Sequence, residues 1–130
     1  MPAPTIIEKE LSYQIIQAAY VVFNTLGSGF VEKIYESAIY EELLQRGHKV
    51  ERQKRIPIHF KGKQIGTHVL DLLVDERVIL ELKAVAEIAP IHKKQALSYL
   101  KATRLELALI INFGAHRLQS TRVVHTQNRK

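Results

Sequence analysis

A chain of 130 residues, 46% apolar and 25% charged, has the size and balance of one globular domain with a single core. It holds no run of about 18 apolar residues to span a membrane, and residues 1–5 lack the basic start and apolar stretch of a signal peptide. The absence of cysteine excludes disulfides, zinc–thiolate centres and cysteine nucleophiles and points to a cytoplasmic setting, while nineteen Lys and Arg against thirteen Asp and Glu, a formal charge of +6, favour polyanionic partners.

In chain order, Ile7, Leu11, Ile15, Ala18, Val22 and Leu26 recur at three- and four-residue steps and predict a helix over residues 6–26, with Thr5 as N-cap and Gly27 as its stop. This helix is expected to pack on a sheet; lying outside a small core, it could also support a homodimer. Gly27-Ser28-Gly29 breaks the pattern and reads as a helix–helix turn. No strand precedes it and no Lys-Ser/Thr follows, as a phosphate loop needs. A second helix is expected over 31–46, buried through Ile34, Tyr35, Ala38, Ile39 and Leu43 and ended by Gly47.

After Gly47 the period falls to two. Val50, Ile56, Ile58 and Phe60 alternate with polar residues, and Pro57 suggests an edge or a bulge. Lys61-Gly62-Lys63-Gln64 reads as a hairpin turn. Strands over 64–74 and 77–84 follow, joined by Asp75-Glu76, a link so short that they must run antiparallel. Pro90 opens a third helix to about 103, with Ile91, Gln95, Ser98 or Tyr99, and Ala102 on one side. Residues 107–112 form an apolar run of buried-strand length, and a last strand is expected over 118–124. The order α-α-β-β-β-α-β-β implies one α/β domain over 1–124, a mixed central sheet flanked by helices, with a polar tail at 125–130.

Chemistry concentrates in two apolar strands that carry charge. Asp71 lies in Val69-Leu70-Asp71-Leu72-Leu73-Val74, and Glu81 and Lys83 lie in Val78-Ile79-Leu80-Glu81-Leu82-Lys83-Ala84. An unpaired buried carboxylate costs several kcal/mol, so such residues need a reason. Glu81 and Lys83, two apart, share a sheet face. Asp71 joins them only if it lies opposite an odd-numbered residue; pairing with Leu80 would separate the acids. Two adjacent carboxylates call for a cation, and oxygen donors suit Mg²⁺ or Mn²⁺, with the Leu82 carbonyl as a further ligand. Lys83 could then orient or deprotonate a water or stabilise phosphate charge. The same spacing also allows a structural salt bridge between Lys83 and either acid.

Positive charge crowds between residues 46 and 63, in Arg46, His48, Lys49, Arg52, Lys54, Arg55, Lys61 and Lys63, with Glu51 the one acid. This reads either as a solvated strand face or, beside a phosphate site, as a grip on a nucleic-acid backbone. His92, near the start of the third helix, could join it. The six histidines show no metal-binding spacing.

The segment Gly29-x-x-Glu32-x-x-Tyr35 resembles the motif that names the GxxExxY protein family, a branch of the PD-(D/E)XK nuclease superfamily. The resemblance continues through Glu51-Arg52-Gln53, Asp71-Leu72-Leu73-Val74, Glu81-Leu82-Lys83-Ala84, Ala89-Pro90-Ile91-His92, Gln95 to Lys101 and Ile111-Asn112-Phe113-Gly114, and covers residues 10–124. Leu70-Asp71 stands where the superfamily name has Pro-Asp. The resemblance implies a restriction-endonuclease-like core with two N-terminal helices and a Mg²⁺- or Mn²⁺-dependent nuclease acting on nucleic acid, DNA first. It also implies that Asp71 and Glu81 are metal ligands, that Lys83 is the catalytic lysine, that Glu32 completes the metal site, and that Gln95 stands near it. Tyr99, one turn beyond Gln95, could support the site or simply pack. Two rivals stay open: a non-catalytic module binding nucleic acid or a protein on the same fold, and an enzyme acting on a smaller phosphate ester.

Overall fold

The computed structural model describes residues 5–126. It contains α1 (Lys9–Leu26), α2 (Glu32–Gln45), β1 (Val50–Phe60), β2 (Lys63–Val74), β3 (Val78–Lys83), α3 (Pro90–Thr103), β4 (Leu107–Asn112) and β5 (Gln119–Val124). The five strands form one sheet in chain order. β1, β2 and β3 are an antiparallel meander, α3 carries the chain across to β4 parallel to β3, and β5 returns antiparallel to β4. Among the described residues no helix is long and apolar enough to cross a membrane.

Strand alternation divides the core into two layers. Leu72, Val74, Leu80, Leu82, Leu109 and Ile111 face α1 and α2, and Leu73, Ile79, Ala108 and Ile110 face α3. Both tight turns of the meander use left-handed backbone, at Lys61 and Gly62 (φ 51° and 81°) and at Asp75 and Glu76 (φ 53° and 58°). That hand matches the twist of paired strands. Asp75 tolerates it because its carboxylate accepts the Lys49 N–H at 2.9 Å and meets His48 Nδ1 at 2.7 Å.

Three local expectations are corrected. The first helix starts at Lys9 rather than near residue 6, and Thr5 does not cap it: Glu8 is the N-cap, left-handed at φ 54°. Tertiary partners hold this entry instead, since Glu8 pairs with Arg77 at 3.2 Å and the Arg122 guanidinium donates to the Ile7 carbonyl and to Ser12 Oγ. On α2, Ile34 is exposed, whereas Glu36 is buried beside Tyr35, Ile39 and Leu43. On α3, Ile91 is 65% exposed, and the packed face is Ala96, Tyr99 and Leu100. Helix and strand bounds otherwise fall within a residue or two of expectation. Residues 127–130 of the expected tail lie outside the described residues, and His125 is tied by its N–H to the Glu106 carbonyl.

Candidate active site at a strand fork

β2 and β3 pair at Leu72↔Leu80, Leu73↔Ile79 and Val74↔Val78. The ladder is seen no further than Leu72, and Leu70 lies with Leu73 in the α3 layer, so regular alternation breaks at Asp71. There the backbone ladder stops and side chains replace it. Leu82 N–H donates to Asp71 Oδ2 at 2.8 Å, and Asp71 N–H reaches Glu81 Oε2 only at 3.5 Å. β1 is irregular at the same level: Arg52 pairs with Leu72 and Lys54 with Leu70, while Gln53, at φ 50°, drops out of the ladder. The strands therefore part at Asp71 and leave a fork with the two carboxylates at its root.

Burial sets the electrostatics. Glu81 is 4% exposed. Its carboxyl is pushed up to about 8 by that burial first and by Asp71 next; the Asp71 N–H and Lys83 oppose the rise. Asp71 is also raised, chiefly by burial, with Glu36 and Glu32 adding repulsion and the Leu82 N–H and Lys83 opposing it. The Tyr99 hydroxyl, on α3, is pushed up to about 12 by burial and by Glu81 and Asp71. Lys83 forms no ion pair with either acid, and the ion pairs among the described residues all lie elsewhere. The structural salt bridge that the spacing allowed is absent, and the acid pair lacks a fixed counter-charge in contact.

Among the described residues no three Asp, Glu, His or Cys side chains converge into a ready-made metal cage. What converges is a pair. Asp71 Oδ1 and Glu81 Oε1 have no hydrogen-bond partner among the described residues, and nearby carboxylates raise both groups. That donor set fits a hard divalent cation of the Mg²⁺ kind, which takes one or two carboxylates and fills its remaining positions with water and phosphate oxygen. Leu82 contributes its N–H to Asp71 in this arrangement.

The remaining expected residues divide. Glu32 is exposed at the first turn of α2, near enough to raise both acids. Its motif partners serve the scaffold. Gly29 takes φ 112°, and Tyr35, fully buried, donates to the Gly27 carbonyl, accepts the Phe30 N–H at 3.2 Å and stacks on Phe113 at 4.4 Å. Together they fix the turn that aims α2 at the fork. Gln95 is exposed and its side chain bonds to no described residue. His92 accepts the Ala89 N–H at 2.9 Å and so caps α3.

The basic segment is not one surface. Arg52 donates to Glu36 at 3.2 Å and to Ser37 at 3.0 Å and lies over the Tyr40 ring. Lys49 pairs with Glu76 at 2.9 Å and Lys54 with Glu51 at 3.0 Å. Arg55, Lys61 and Lys63 have no ion pair among the described residues.

Two structural groups were not anticipated. Glu36, 4% exposed, is held by Arg52 and by Gln53 Nε2 at 2.9 Å and adds its charge to the Asp71 environment. Its one visible signal was its place four residues after Glu32 on the same helical face. Asn112 is fully buried at the end of β4. Its Oδ1 accepts the N–H groups of Val85 and Gly114, both at 3.0 Å, and its Nδ2 donates to the Val85 carbonyl and to Gln119 Oε1, both at 2.9 Å. A Cβ at Gly114 would stand 2.4 Å from the Ala84 carbonyl carbon and the Val85 nitrogen. Asn112 and Gly114 thus clamp the chain just beyond Lys83.

A family model described as PD-(D/E)XK nuclease superfamily matches residues 9–124. No curated protein matches the chain. The crystal structure of SSO0001 superposes with a TM-score of 0.58 at 16% identity, over 93% of this chain and 59% of that one, a likeness of fold. The chain spans 59% of that relative's length.

Proposed function

The chain belongs to the PD-(D/E)XK nuclease superfamily, and we propose that it is a Mg²⁺- or Mn²⁺-dependent phosphodiesterase that cuts nucleic acid at the β2–β3 fork. The observation that carries this reading is the meeting of Asp71 and Glu81 where the β2–β3 ladder ends, with free carboxylate oxygens and no ion-paired cation. The motif Gly29-x-x-Glu32-x-x-Tyr35 supports placing it in the GxxExxY branch, and the cysteine-free composition supports a cytoplasmic setting.

Asp71 and Glu81 would hold the ion, with Glu32 at the rim able to join directly or through water. When bound, the ion supplies Lewis-acid polarisation of the scissile phosphate and lowers the pKa of the attacking water. The residues of the chain do the rest. The Leu82 N–H fixes the Asp71 carboxylate, so one oxygen is committed and the other would be left for the ion. Lys83, on the same face as Glu81 and unburdened by an ion pair, offers its ammonium to a non-bridging phosphate oxygen or to the water. The acid pair repels an approaching phosphate until its charge is offset, which ties substrate entry to ion binding.

The test is cleavage of a panel of single- and double-stranded DNA and RNA with Mg²⁺ or Mn²⁺, comparing the wild type with Asp71→Asn and Lys83→Ala. Both variants should cut at least about 10²-fold more slowly, the scale of losing one transition-state contact. Equal cutting by Lys83→Ala would show that the nuclease in the sample is another protein. Binding that persists without cutting or ion dependence would favour a non-catalytic module.

A further inference from the structure

The β1–β2 hairpin is longer than the sheet requires. β2 pairs with β3 only from Leu72 to Val74, yet it pairs with β1 out to Phe60↔Lys63. Beyond Asp71 it is a two-stranded ribbon with no third strand, and residues 59–67 are exposed without a break. With four or five residues on each strand, this free part reaches about 15 Å from the body, more than the ~8.5 Å depth of a major groove.

Charge and apolar surface are both concentrated on it. From Arg52 to Leu70 there are five Lys and Arg and no Asp or Glu. Arg52 and Lys54 are tied to acids, which leaves Arg55, Lys61 and Lys63 without an ion pair among the described residues. Phe60 and Ile65, at the tip, are 59% and 65% exposed, and the Lys61 ammonium lies 5.4 Å over the Phe60 ring. At the base of the ribbon a mainly apolar groove against α3 is edged by His59, His68, Ser98 and Lys101.

The ribbon is also the direct extension of the strand that bears Asp71. Lys63 is eight residues away. At 3.4 Å per residue the separation is about 27 Å, inside the ~34 Å of one duplex turn.

We infer that the ribbon is a grip for double-stranded nucleic acid, in a groove within one turn of the phosphate being cut; the substrate class rests on the phosphodiesterase reading. Arg55, Lys61 and Lys63 neutralise backbone phosphates, and Phe60 and Ile65 seat in the groove. A duplex is favoured over a single strand for two reasons. A two-stranded ribbon matches the ~12 Å width of a major groove. Single-strand platforms stack successive bases on several aromatic rings, and this ribbon carries Phe60 alone.

The experiment separates gripping from cutting by using the Asp71→Asn background, where the Leu82 N–H keeps an oxygen acceptor. Binding of a labelled 20-base-pair duplex, and of the same-length single strand, is followed by fluorescence anisotropy from 50 to 200 mM salt. The duplex should bind at least about tenfold more tightly. Adding Arg55→Ala, Lys61→Ala and Lys63→Ala should weaken duplex binding at least tenfold and reduce the slope of log K against log salt by about 2.7, three contacts at ~0.9 each. The charge-neutral pair Phe60→Ala and Ile65→Ala should weaken it about threefold or more with the slope unchanged. Wild-type-like binding by either variant, or equal affinity for the single strand, overturns the inference. Failure of the wild type to cut bears instead on the phosphodiesterase reading. All five side chains are exposed, and unchanged circular dichroism melting excludes misfolding as the cause.

Discussion

In the absence of a cation Glu81 keeps its proton at neutral pH, and that proton is the price of assembling the site. An ordinary glutamate near 4.5 is ionised in the unfolded chain, while the folded chain holds it up to about 8. Below pH 4 both states are protonated and nothing is lost. Between about 4.5 and 8 the native state binds the extra proton, so folding stability falls as pH rises, and above 8 the cost is constant. Glu81→Gln removes this cost. In EDTA at pH 7 the variant should be more stable than the wild type by on the order of 3 kcal/mol in urea denaturation, with the gap closing toward pH 4. A variant less stable than the wild type at pH 7 would show that Glu81 is held by partners rather than strained by its surroundings. Mn²⁺ should stabilise the wild type increasingly as pH rises toward 8, because the ion competes with that proton, and should do little for Glu81→Gln.

The elements carry the site as two blocks, and Asn112 is where they lock. The meander supplies Asp71, Glu81 and Lys83, and the crossover through α3 returns β4, whose last residue grips the chain beyond Lys83. Asn112→Ala leaves the Val85 N–H and carbonyl without their side-chain partner in a half-buried place and should cost about 2 kcal/mol. It should also slow cleavage in conditions where the variant is fully folded, because Lys83 loses its support. Cleavage unchanged in such conditions would reduce Asn112 to a purely structural role. The elements themselves were legible: Pro90 opens α3 and the apolar run 107–112 is β4, since both signals are local. That Asp71 and Glu81 lie in one hairpin was legible too, from the two-residue turn between their strands. What stayed hidden depends on partners distant in sequence. Ile34 looks buried by periodicity and is not, because Arg52 and Gln53, sixteen and seventeen residues after Glu36, turn that acid inward. Tyr99 joins the acids only through the packing of α3, and no spacing rule connects residue 99 to residue 81.

Across the whole molecule, one polar knot reinforces at the surface a junction that the core also makes. His48 reaches Asp75 at 2.7 Å and Gln14 at 2.8 Å, joining α1, the approach to β1 and the β2–β3 turn. Burial would raise the Asp75 carboxyl, but His48 and the Lys49 N–H, with Arg77, outweigh it and hold it below the ordinary range. Its stabilising effect is present above the unfolded value and is lost as pH falls through the folded one. Asp75→Asn, which keeps the left-handed turn, should lower stability by about 1 kcal/mol at pH 7 after solvent screening. The difference should shrink below about pH 4, as read from paired urea titrations; a constant deficit would assign the effect to shape rather than charge. A different demand arises at β1, one of the two edge strands of the sheet, whose free margin could template the strand of another copy. Pro57 removes one amide from that row, and the register slips between Ile58 and His59. Two such margins brought side by side would also set Arg55 and the turn lysines against their own kind. Crowded copies of this chain are thereby discouraged from zippering into fibrils, although the hairpin carries bare Phe60 and Ile65 into solvent.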